Sequence, residues 1–163
     1  MKLPWWASPP IDTMASYGFL YWLFDSYIWE WPLMHKLHII KTPNLSGVWR
    51  GHACTTVTNG ASPGLGSQTD IEFTIKQTWT HMLICGKTTQ SKSRSISASI
   101  IVTDECSLSY EYTNEPLAGA PDTMHAHRGT TILSIEKMGS VLKGEYYSGR
   151  DRQNVGTLNL TRV

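Results

Sequence analysis

The stretch Ser107-Leu108-Ser109-Tyr110-Glu111-Tyr112-Thr113-Asn114 decides how this chain is read. Apolar and aromatic side chains take every second position and polar ones the positions between. That is the period of a strand with one packed face and one wet face. The pattern recurs outward from there. Ile71, Phe73 and Ile75 oppose Glu72, Thr74 and Lys76; Ile96, Ala98, Ile100 and Val102 oppose Ser95, Ser97 and Ser99; Leu133 and Ile135 continue it. Turn signals between these runs predict eight strands over 47–58, 69–80, 81–87, 93–103, 107–114, 125–137, 141–147 and 155–162. Eight short antiparallel strands make a sandwich or a barrel. A single packed face throughout favours closure, so the expected fold is all-β, a small eight-stranded antiparallel up-and-down barrel filled by side chains.

The two ends of this region agree with closure. Gly47-Val48-Trp49 opens the first strand and Leu160-Thr161-Arg162 closes the last. In an even-stranded meander these termini meet, and Arg162 is expected to stack on Trp49 as a cation–π pair. Lipocalin-type barrels have a similar Gly-x-Trp start and terminal-strand Arg.

Before Pro43 the texture is helical. Tyr17, Leu20, Tyr21, Phe24, Ile28 and Trp31 recur at three- and four-residue spacing, with Asp12 as the expected N-cap and Pro32 as the stop. Trp22 and Trp29 fall on a second face beside Asp25. The expectation is an N-terminal aromatic amphipathic α-helix, either packed on the barrel or used as an oligomer or membrane-surface contact. The chain is thus divided at 1–42, helix and connector, and 43–163, barrel.

Composition bounds the function. The 163 residues suit one main domain, and Lys+Arg 14 against Asp+Glu 13 leaves a formal charge of +1. A polymer-coating DNA- or RNA-binding protein would carry a basic surplus. Charged residues are 17 % and hydrophobic ones 40 %, which supports a packed core. Cys54, Cys85 and Cys106 are odd in number with no Cys-x-x-Cys pair, so neither a disulfide framework nor a zinc site is expected, and a reducing, cytoplasmic setting fits. No secretory signal is expected. The apolar run 16–34 contains Asp25 and Glu30, and a carboxylate inside a span costs roughly 2.5–3.5 kcal/mol, which argues against a transmembrane helix.

Up-and-down topology brings particular side chains to the end of the barrel opposite Trp49 and Arg162. Lys87, Arg94, Tyr110, Tyr112, Asn114, His127, Arg128, Tyr146 and Arg150 converge there as a locally basic, aromatic mouth. Guanidinium groups take phosphate oxygens bidentately, and aromatic planes stack on bases for roughly 1–3 kcal/mol each. Strand parity points Arg94 and His127 into the mouth and Arg128 outward. Singly, each of these is an ordinary rim charge or barrel-filling ring; their convergence makes the site. His125 and His127 lack the further ligands a metal needs. No nucleophile elbow, phosphate-cradling glycine loop or His-Glu-x-x-His occurs, so no catalytic residues and no cofactor are assigned.

The series Pro43-Asn44-Leu45-Ser46-Gly47-Val48-Trp49-Arg50-Gly51, Ile75-Lys76-Gln77-Thr78-Trp79, Tyr110-Glu111-Tyr112-Thr113-Asn114-Glu115-Pro116, His127-Arg128-Gly129-Thr130 and Gly144-Glu145-Tyr146-Tyr147-Ser148-Gly149-Arg150 resembles one family. It is the β-barrel of the two-transmembrane, β-strand-rich effectors of bacterial cyclic-oligonucleotide (CBASS) anti-phage operons. The resemblance implies a receptor for a cyclic dinucleotide, not an enzyme, in which binding promotes self-assembly of the effector and failure of the inner membrane. It also implies a homo-oligomer and a membrane or transmembrane partner through the N-terminal helix. The two spans expected before the barrel have no counterpart here; Tyr27-Ile28-Trp29-Glu30-Trp31 resembles the connector. The alternatives are a soluble sponge that sequesters the nucleotide, or a lipocalin-like carrier of a small apolar ligand. Phe73, Trp79, Tyr110, Tyr112 and Tyr146 are expected to fill the barrel, which counts against the carrier.

Overall fold

The computed structural model describes residues 11–56, 67–121, 124–137, 139–149 and 154–163. Two compact units result: the chain up to Lys41 together with the turn Thr78–His81, and the remainder from Thr42 onward.

The second unit is a closed barrel of β1 (Gly47–Thr56), β2 (Gln68–Gln77), β3 (Met82–Lys87), β4 (Ser91–Val102), β5 (Cys106–Pro116), β6 (His127–Glu136), β7 (Val141–Ser148) and β8 (Val155–Arg162). Every neighbouring pair is antiparallel, and β8 returns to β1 with Trp49 opposite Arg162. The alternation read from the sequence is what closes it. Trp49, Phe73, Ile75, Ile84, Leu108, Tyr110, Tyr112, Leu133, Leu142, Leu158 and Leu160 form one buried cluster. Each fully buried aliphatic or aromatic side chain of this kind contributes about 1.5–3 kcal/mol. The outer wall carries cross-strand ion pairs, Arg50–Glu72 at 2.7 Å among them.

Gly47 starts β1 with φ +134°, a conformation that disfavours any side chain, and a Cβ there would press on the Arg162 guanidinium at 3.3 Å. The Gly-x-Trp opening therefore has a physical cause: it leaves room for Arg162.

β4 departs from simple alternation. Its register against β5 shifts between Ser95 and Ser97, with Ser95 opposite Tyr112 and Ser97 opposite Glu111. Ile96 is the extra residue of a β-bulge and is 54 % exposed. Ala98 and Ile100 pack on the core as expected. Ile96 does not, and Val102, at the strand end, is exposed. Above the bulge the parity is inverted: Ser91 and Ser93 face the interior, and Arg94 does not.

In the first unit the helix is shorter and more broken than its periodicity predicts. α1 spans Ile11–Ser26, a 3-10 turn covers Ile28–Glu30, and α2 covers Pro32–Lys36. Asp12 falls within the range of α1, with its side chain outside what the structure describes, and Pro32 occupies the first turn of α2 instead of ending a helix. Proline is well placed there, because a first-turn residue has no intrahelical N–H bond to lose. The break at Tyr27 separates the two tryptophans expected on one face. Trp22 is 51 % exposed, whereas Trp29 is buried and lies 6.2 Å from the Trp79 ring. Met14, Tyr17, Phe19, Leu20 and Tyr21 are all exposed, so α1 is apolar around its circumference and not amphipathic. Asp25 ties the unit together by accepting from Thr80 N at 2.8 Å, Thr80 Oγ1 at 2.7 Å and Thr78 Oγ1 at 3.2 Å. Trp79, expected inside the barrel, belongs to this unit and is 41 % exposed.

Candidate functional site

The end of the barrel opposite Trp49 encloses a cavity of about 360 Å³. That is within the range of small-molecule sites. The cavity's floor is aromatic. Phe73 and Tyr110 meet edge to face at 6.2 Å, Tyr110 and Tyr112 are tilted at 6.1 Å, and Tyr112 meets His127 edge to face at 6.5 Å. The rings therefore climb from the core to the mouth in an unbroken series.

Glycines make room for them. Phe73 lies opposite Gly86, Tyr112 opposite Gly129 and Tyr146 opposite Gly156 in the ladders. A Cβ on any of the three glycines would collide with the aromatic ring of its partner. Each large ring thus lies across a residue with no side chain, a cross-strand device that keeps it inside the barrel. Sequence reasoning missed this pairing, although a glycine at a strand interior was the available signal.

Above the rings the wall is polar and neutral. Thr55, Thr69, Ser91, Ser93 and Ser148 supply hydroxyls, and Gln90, Asn114 and Asn154 supply amides. Tyr146 holds Thr55 through a short hydroxyl–hydroxyl hydrogen bond. Burial pushes the Tyr110 phenol well above its ordinary range, so it stays neutral; the buried Thr131 hydroxyl beside it works against that shift without completing a hydrogen bond of ordinary geometry. Among the described residues that line the cavity there is no Asp, Glu, Lys or Arg. An anionic ligand would meet no like charge there, and a neutral flat group would find donors and acceptors on every side.

Of the predicted site residues, Tyr110, Tyr112, Asn114, His127 and Tyr146 converge on this cavity. Lys87 and Arg94 do not: both line a groove on the outer wall with Glu72 and Glu115. For Arg94 this corrects the parity expectation, and the bulge at Ile96 is the reason. Arg128 is exposed and outward, as parity requires. His127 turns inward and its Nδ1 lies 3.0 Å from the His125 carbonyl. Arg150 lies outside the described residues. The mouth is therefore less basic than expected in the part described: its cations sit on the outer rim. Gln77 at the opposite end is structural, since its amide bonds Leu45 N at 2.8 Å and the Pro43 carbonyl at 3.2 Å.

Comparison with known proteins identifies relatives of this chain. The family described as Cap15, cyclic dinucleotide receptor domain, matches residues 40–162. CD-NTase-associated protein 15 of Yersinia aleksiciae is 32 % identical over 157 residues, which is 94 % of this chain and 70 % of the relative. Among the described residues, no helix is long and apolar enough to cross a membrane.

Proposed function

The chain belongs to the Cap15 family of cyclic dinucleotide receptors of CBASS anti-phage defence, and on that footing we propose that the cavity at the open end of its barrel is the nucleotide site. The observation that supports this most is the cavity's division of labour. Edge-to-face and tilted rings lie below, neutral amides and hydroxyls above, and among the described residues the cations Lys87 and Arg94 stand on the outer wall.

A cyclic dinucleotide carries two flat bases and two phosphates at a fixed separation. In this reading a base enters the cavity, its face against Tyr112 or Tyr146 and its edge on Asn114 and His127. Burying a phosphate with only neutral donors forfeits strong charge-assisted bonds. The phosphates therefore stay near the rim, where Lys87, Arg94 and Arg128 raise the local potential and Arg150 is the candidate for direct contact. Steering of this kind acts on the association rate and weakens with salt.

The second part of the reading is self-assembly on ligand binding. It is favoured by the exposed aromatic surface of α1, where Tyr17 and Trp22 stand 72 % and 51 % open to solvent. A contiguous apolar patch of this kind marks an interface with protein or lipid. A cytoplasmic protein that works at the inner membrane would use it in that way.

The test is calorimetric titration with a panel of cyclic dinucleotides carrying uracil, adenine and guanine, alongside mass measurement. At least one should bind one-to-one per barrel and raise the assembled mass. Binding without a mass change supports the sponge. Failure of every dinucleotide, with saturable uptake of a fatty acid, supports the apolar carrier.

A further inference from the structure

Among the described residues the β3–β4 ladder holds only three residue pairs, Cys85 with Arg94, Gly86 with Ser93 and Lys87 with Lys92. β4 runs on to Val102, held on its other side by β5 as far as Val102 opposite Cys106. β3 begins only at Met82, six residues long against the twelve of β4, so the lower half of β4 runs on past its end. Beside the bulge the Ile84 N–H donates to the Ser95 hydroxyl at 3.0 Å. Residues 97–102 are left with one edge that no described strand covers.

An open edge is a template for another strand, and proteins guard such edges with charges or proline. This one is unguarded. Residues 95–102 read Ser-Ile-Ser-Ala-Ser-Ile-Ile-Val, without a charge or a proline. Ile96 and Ile101 are 54 % and 49 % exposed. On β5 the outer positions Ser109 and Ser107, opposite Ser99 and Ile101, are uncharged too, and the nearest charge is Glu111, opposite Ser97 at the upper end of the edge.

We propose that this edge of β4 pairs antiparallel with the same edge of a second copy of the chain, across a two-fold axis. Charge pattern selects this occupant. Across a two-fold axis the edge must be complementary to itself, residue i of one copy facing residue j of the other and j facing i, and an edge without charges meets that condition in any register. A neutral β-branched edge suits self-pairing, and main-chain hydrogen bonds supply the affinity. The proposal rests on the self-assembly part of the reading above and gives it an interface on the barrel, separate from the α1 surface; it needs nothing of the cavity.

Sedimentation velocity on the full chain tests it, with and without the panel of cyclic dinucleotides. The variants are Ile101→Lys on the edge strand and Ile132→Lys, equally exposed but two strands away on β6. The parent and Ile132→Lys should show a dimer, and Ile101→Lys a twofold lower mass. All three should retain the same calorimetric affinity for whatever dinucleotide the parent binds. A monomeric parent in both conditions, an Ile101→Lys protein that associates like the parent, or an equal loss in Ile132→Lys overturns the proposal. Absence of dinucleotide binding by the parent is a separate result and counts against the cavity reading alone.

Discussion

The Arg162 guanidinium lies over the Trp49 indole, its central carbon 5.8 Å from the ring centroid. The indole is fully buried and its Nε1 donates to the Leu45 carbonyl at 2.9 Å. The guanidinium also donates to the carbonyls of Asn44, at 3.1 Å, and Ser46. One contact therefore locks the first strand, the last strand and the segment leading into the barrel.

Trp49→Ala should cost about 3–5 kcal/mol, as truncation of a buried aromatic does. Arg162→Ala should cost less. Because the two groups touch, their losses should be non-additive in a double-mutant cycle measured by denaturant unfolding. Additive losses would show that the stacking contributes nothing to closure.

Gly86→Ala should destabilise the barrel by about 1–3 kcal/mol, because the new Cβ collides with the Phe73 ring and the Ser93 hydroxyl. Combining it with Phe73→Leu should cost less than the sum of the two single changes. A neutral Gly86→Ala would refute the pairing of rings with glycines.

Much of this was legible beforehand, and the gaps have physical causes. Period-two alternation located all eight strands, because each strand buries one face only. Closure was legible from Gly47, Trp49 and Arg162. Arg94 was misplaced because parity counting assumes an unbroken ladder, and the bulge at Ile96 leaves no mark in a run of serines and isoleucines. Trp29 was misplaced because the helical spacing continues through Tyr27 although the helix does not. The inward set Tyr110, Tyr112, Asn114, His127 and Tyr146 was found by topology. The hydroxyls of Ser91, Ser93 and Thr131 were not, since small polar residues look alike on either face.

Asp25 makes the first unit sensitive to acid. Partial burial opposes ionisation, but hydrogen bonds from Thr80 and Thr78, with His81 nearby, hold the carboxyl below its ordinary value of 3.8. A lowered folded pKa gives stability that is fully present above 3.8 and is lost as pH falls through the folded value. Tryptophan fluorescence should report loosening around Trp79 in that acid window. Asp25→Asn should be less stable at neutral pH and flat across the window. An unchanged acid transition in Asp25→Asn would contradict this.

Tyr110 makes the barrel sensitive to alkali. Its phenol is raised by burial, so the folded state resists ionisation while the unfolded chain ionises near 10. The stabilisation is present below 10 and declines as pH rises above it. Tyr110→Phe should flatten the alkaline limb of the unfolding curve; an identical limb in both proteins would show that Tyr110 is not the group responsible.

The central claim is that the nucleotide site is the interior cavity and not the outer rim. Calorimetry with the tightest-binding cyclic dinucleotide tests it directly, on the parent, Tyr112→Ala, Asn114→Ala and Arg94→Ala. Truncating a desolvated polar contact typically costs about 2–5 kcal/mol. Asn114→Ala and Tyr112→Ala should thus weaken binding at least roughly tenfold, with folding confirmed by circular dichroism. Arg94→Ala, which changes only the outer wall, should leave affinity nearly unchanged and reduce its salt dependence. Parent-like binding by both cavity variants, with loss confined to Arg94→Ala, would contradict the account.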